Sequence, residues 1–106
     1  MTDYRVNAEQ WNAISTEDQT SIIEGLRSAG ALKIGDKIIP DAKTKRASES
    51  GKIELLWNPI GDACRAACDA TAAAAIAWCT TYTAGAGLIA CIAAAEAVRR
   101  ECNSHC

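Results

Sequence analysis

The sequence predicts a mainly α fold: a disulfide-stapled antiparallel αα-hairpin preceded by a small helix plus β-ribbon N-terminal segment. Three observations predict it. All six cysteines, Cys64, Cys68, Cys79, Cys91, Cys102 and Cys106, fall in the last part of the 106-residue chain, and their spacing, C-x3-C-x10-C-x11-C-x10-C-x3-C, reads the same in both directions. At about 100° per residue, four residues advance a helix face by about 40° and eleven by about 20°, so the three cysteines of each arm share one face. The residues between them are dominated by alanine, such as Ala72 to Ala75 and Ala93 to Ala95, the best helix former and small enough for two helices to approach as a disulfide requires.

Six cysteines admit fifteen pairings. The symmetry favours the nested set Cys64–Cys106, Cys68–Cys102 and Cys79–Cys91, with the chain folding back at Gly85 in Thr83-Ala84-Gly85-Ala86-Gly87. Asp62 is the expected N-cap of the first arm, and Arg99 and Arg100 suit the C-terminal end of the second. Phenylalanine is absent, so an alanine core buries little area per residue and the fold needs its cross-links.

In chain order, residues 7–14 predict a short helix or turn with Trp11 and Ile14 on one face. Ser15 or Thr16 opens the next helix, with Asp18 and Gln19 placed for a capping box. Ile22, Ile23 and Leu26 form its apolar stripe, and Gly30 ends it. From Ala31 to Pro40 a small ribbon is expected, Leu32 and Ile34 returning through a Gly35-Asp36 turn to Ile38 and Ile39. Residues 1–40 make a leader-like N-terminal segment. Residues 41–51 lack large apolar side chains and read as an exposed linker. Residues 52–106 form the Cys-rich unit, in which Lys52 to Pro59 is strand-like, with Leu55 and Trp57 covering the open base of the hairpin.

No charged residue occurs from Ala70 to Ala95. Folded at Gly85, each arm offers only about 20 Å of uncharged helix, short of the roughly 30 Å hydrocarbon core of a bilayer. The hairpin is polar end to end. Its base carries Arg65, Asp69, Glu96, Arg99, Arg100 and Glu101, while its tip (Ile76, Trp78, Tyr82, Leu88, Ile89, Ile92) is uncharged. The tip residues are the candidate contacts to a membrane interface, where Trp and Tyr are at home, or to a cell-surface receptor or other partner.

The net charge of −2 argues against nucleic acid. No catalytic constellation stands out: His105, the one histidine, neighbours Cys106 at the chain end, and Gly85-Ala86-Gly87 lacks the strand of a phosphate loop. No cofactor is expected, and the protein is read as non-enzymatic. Paired cysteines imply an oxidising compartment, yet Met1-Thr2-Asp3-Tyr4-Arg5-Val6 has no apolar signal core. One reading is that the protein is secreted without a classical signal peptide, with export or processing machinery reading residues 1–40. The alternatives are a binding or inhibitor module forming one compact fold, and an intracellular metal or redox protein whose C-x3-C pairs hold zinc or an iron–sulfur cluster.

The twin C-x3-C pairs Cys64–Cys68 and Cys102–Cys106 resemble those of α-hairpinins, from which the inner Cys79–Cys91 rung and the long arms depart. The whole chain is similar in architecture to ribosomal-peptide precursors of Cys-rich bacteriocins of the halocin C8 type: a hydrophilic leader, a linker, and a Cys-, Ala- and Gly-rich core. Gly30-Ala31 departs from a double-glycine processing site, with Ser28 where such leaders carry an apolar residue. The resemblance implies a bacterial, secreted, membrane- or receptor-directed antimicrobial released from a precursor.

Overall fold

The structure, a computed structural model, describes residues 2–44 and 63–104. The element order is β1 (Asp3–Asn7), α1 (Ala8–Asn12), α2 (Thr16–Ser28), β2 (Lys37–Asp41), α3 (Ala63–Tyr82) and α4 (Ala86–Ser104). The fold is mainly helical, with one small two-stranded sheet and two disulfides joining α3 to α4.

Local chemistry sets the helix ends. Buried Asn7 caps α1, its Oδ1 accepting from the Gln10 N–H at 3.1 Å while its Nδ2 donates to the Thr44 carbonyl at 2.9 Å. Ser15 caps α2, accepting from the Asp18 N–H at 3.1 Å, and Glu17 and Asp18 place negative charge at the positive end of the helix dipole. Gln19 does not complete a capping box; its amide donates to the Trp11 carbonyl at 3.0 Å and ties α2 to α1. The far end of α2 is a Schellman motif: Gly30 at φ 83° donates to Arg27, and Ala31 donates to Leu26.

The sheet differs from the ribbon expected within residues 31–40. β1 pairs with β2 in parallel, Tyr4 opposite Ile38 and Val6 opposite Pro40, with α1 and α2 supplying the crossover that parallel strands need. Leu32 is buried against the end of α2, whereas Ile34 is 93% exposed. Asp36 explains the change. Its carboxylate accepts from the Lys33 N–H at 2.8 Å and the Thr2 N–H at 2.9 Å, closing a turn over 33–36 and docking it onto the chain before β1. The Lys37 N–H then donates to the Thr2 carbonyl at 2.9 Å, and β2 continues beside β1 rather than beside residues 32–34.

One apolar core runs through the described residues. Val6, Trp11, Ile22, Leu26 and Ile38 belong to the same buried cluster as Ala75, Cys79, Cys91, Ile92 and Val98. Each large apolar side chain so buried contributes about 1.5–3 kcal/mol. α4 lies at its centre, packed by α3, β1, α1 and α2, and is buried at every position from Ala90 to Ala95. Alanine permits this: small side chains let neighbouring elements close on several sides of one helix.

Several sequence expectations fall outside the described residues: the Asp62 cap, the Cys64–Cys106 rung, His105, the strand-like stretch 52–59 with Leu55 and Trp57, and most of the linker 41–51. Of the linker, residues 41–44 are described: Asp41 ends β2, and its carboxylate accepts from the Lys43 N–H at 2.9 Å.

Candidate functional site: the uncharged end of the cross-linked helices

Two cross-links position this end. Cys79 is bonded to Cys91, and Cys68 to Cys102, with Cα separations of 5.7 Å in both. Cys68, Cys79 and Cys91 are fully buried. The Cys68–Cys102 bond removes two of the four thiolates that the metal alternative requires. Such bonds belong in an oxidising, extracellular setting. An ion pair joins the same two helices at the charged end, Arg99 Nε donating to Asp69 at 2.7 Å.

At the uncharged end the six candidate contact residues separate by exposure. Tyr82 is 70% exposed and Ile92 is buried at 1%. Ile76, Trp78 and Leu88 are half-buried and packed against the core, and Ile89 is also half-buried. In the intact chain, then, Ile92 is a core residue and Tyr82 is the most open of the set.

The N-terminal segment covers Trp78. The six-membered ring of Trp78 lies on the backbone of buried Gly25, where a Cβ would fall within the indole. Trp78 also neighbours Tyr82, with ring centroids 5.3 Å apart and planes tilted by 36°. Spacing alone could not place Gly25, but it carried a signal: a glycine inside an amphipathic helix usually has a packing reason.

The threonine hydroxyls here bond back to the helix backbone. Thr80 and Thr81 donate to the Ala77 carbonyl at 3.0 and 2.8 Å, and Thr83 donates to the Cys79 carbonyl. With their hydroxyl protons so used, they add little free donor capacity to the surface. Farther along α3, Ala66, Ala67, Ala70, Ala73, Ala74 and Ala77 are all exposed, a shallow face of methyl groups.

A groove of about 360 Å³ opens where the start of α2 meets the α3–α4 junction. It is lined by Asp18, Ser21 and Ile22 from α2, by Trp78, Tyr82, Thr83 and Ala84, and by Gly87 from α4. The sequence expectation omitted Asp18 and Ser21 from the site because they lie on the other half of the chain. Among the described residues, no helix is long and apolar enough to cross a membrane.

No family model, curated protein or solved structure matches this chain.

Proposed function

We propose that the chain is a non-enzymatic, bacteriocin-like precursor, secreted without a classical signal peptide, in which α3 and α4 form an antiparallel stapled hairpin directed at a membrane or cell-surface receptor. The observation that carries this reading is the seating of Trp78, at the hairpin's uncharged end, on Gly25 of the N-terminal segment. The alanine-rich scaffold, the threonine hydroxyls bonded to their own helix backbone and the stretch without charge from Ala70 to Ala95 suit an interfacial surface. Residues 1–40 act as leader and mask, read by export or processing machinery, and removal through the 41–51 linker frees Ile76, Trp78 and Leu88 to join Tyr82.

The test is dye release from lipid vesicles by the oxidised chain before and after proteolysis within 41–51. The reading expects leakage at micromolar concentration only after cleavage. An inactive cleaved product that also fails to bind vesicles or whole cells rejects it.

A second reading, a binding or inhibitor module with an integral N-terminal segment, draws on the shared core and on Arg100 of α4, which donates to the Arg5 carbonyl of β1 at 3.1 Å. A linker that resists proteases under native conditions favours this module.

A further inference from the structure

We infer that the groove between α2 and the α3–α4 junction is a binding site for an alkylammonium group, with Trp78 and Tyr82 as aromatic walls and Asp18 as counter-charge. The inference goes beyond the precursor reading, because α2 supplies Asp18 and the site therefore belongs to the intact chain.

Three features converge. The Trp78 and Tyr82 rings stand 5.3 Å apart at a 36° tilt, so they border the groove together without stacking flat. The packing of Trp78 on the Gly25 backbone fixes the indole from behind, so this wall is formed before any ligand arrives. Tyr82 is open to solvent and accessible to a guest. A cation within about 6 Å of such ring centroids is drawn to their negative faces.

The charge balance selects the sign of the ligand. Among the described residues, Asp18 is the formally charged side chain that lines the groove, and no Lys or Arg does. An anion would meet this carboxylate with no compensating cation among the described lining residues. A wholly apolar guest would desolvate Asp18 and Ser21 without pairing them. A compact ammonium carrying methyl or methylene groups meets both demands, with charge for Asp18 and an apolar envelope for Ile22 and the rings. The same chemistry occurs in soluble alkylammonium compounds and in choline headgroups at a lipid surface.

The experiment titrates the full, oxidised, ¹⁵N-labelled chain with tetramethylammonium chloride while following the indole N–H resonance of Trp78, assigned with a Trp78→Phe variant. Sodium chloride at matched ionic strength is the control. The expected result is a saturable shift, with a midpoint on the order of millimolar, that sodium chloride does not reproduce. Tyr82→Leu should weaken binding about fivefold and Asp18→Asn about threefold. Both side chains are exposed, and circular dichroism confirms that the variants keep their fold. A shift matching the sodium chloride control, or equal affinities in the wild type and both variants, overturns the site. Glycerophosphocholine and phosphatidylcholine vesicles then separate the sources: a Tyr82-dependent response to the soluble compound alone assigns a free ligand, and a response to the vesicles as well assigns a lipid surface. Vesicle leakage after linker cleavage is a separate readout, so either idea can fail without the other.

Discussion

Replacing Gly25 with alanine tests how closely α2 is seated on α3. In an open helix interior the change would stabilise the protein by about 1 kcal/mol, because glycine is the poorer helix former. Here the new methyl would meet Cζ2, Cε2 and Cη2 of Trp78. These atoms belong to a rigid ring on the core side of α3, so either the indole rotates away or the two helices separate. Overpacking of this kind costs about 1–3 kcal/mol. Set against the propensity gain, Gly25→Ala should destabilise the chain by up to about 2 kcal/mol, which in a domain of this size lowers Tm by up to roughly 10 °C. The assay is reversible urea or thermal unfolding with disulfides intact, followed by circular dichroism. Trp78→Ala opens the space, so in that background Gly25→Ala should become neutral or stabilising. A double-mutant cycle thus returns a coupling well above the roughly 0.5 kcal/mol seen for independent sites. A stabilising Gly25→Ala in the wild type, or the same cost with and without Trp78, would refute the reasoning.

Three further outcomes follow from the same structure. In a chain-entropy account, replacing the Cys79–Cys91 pair by alanine costs about 3 kcal/mol and replacing Cys68–Cys102 about 4 kcal/mol, given sequence separations of 12 and 34; urea unfolding of the two double variants should rank them in that order, and equal midpoints would count against it. Asp36 is held below the ordinary carboxylate pKa. Burial works to raise it, but hydrogen bonds from the Lys33 and Thr2 backbone N–H groups prevail. A depressed folded-state pKa contributes stability that is present above the unfolded value of 3.8 and is lost as pH falls through the folded value. Asp36→Asn also turns an amide donor toward one of those N–H groups, so it should cost about 1–3 kcal/mol at neutral pH. Unfolding measured from pH 7 down to strong acid should show that gap narrowing below about 4; a gap constant with pH would contradict the assignment. Ser15→Ala removes the α2 cap and should cost about 1 kcal/mol, whereas Ser15→Asp should restore most of it in the same unfolding assay.

Helical periodicity made the C-terminal half readable from the sequence. The positions of Cys68, Cys79, Cys91 and Cys102 depend on turn geometry alone, and alanine leaves few other structures open. Gly30 and Ser15 likewise announced the ends of α2 through local rules. The sheet was harder. Asp3-Tyr4-Arg5-Val6-Asn7 does alternate polar and apolar residues, the mark of a half-buried strand, but its partner lies beyond two helices. The Gly35-Asp36 turn and the nearer Leu32 and Ile34 pointed to a local ribbon instead. Two hydrogen bonds to the Asp36 carboxylate decided between the pairings, and no spacing rule contains them. The same non-locality hid the groove. Trp78 and Tyr82 were visible as an uncharged pair, while Asp18 and Gly25 join them only through the packing of α2 on α3.

The central claim is that two specific cross-links lock α3 to α4. Peptide mapping of the unreduced, alkylated protein by mass spectrometry tests it most directly. The account predicts linked peptides joining Cys68 to Cys102 and Cys79 to Cys91, with none of these four sulfurs alkylated. Alkylated thiols at these positions, or links joining them differently, would contradict it and remove the scaffold on which the proposed function rests.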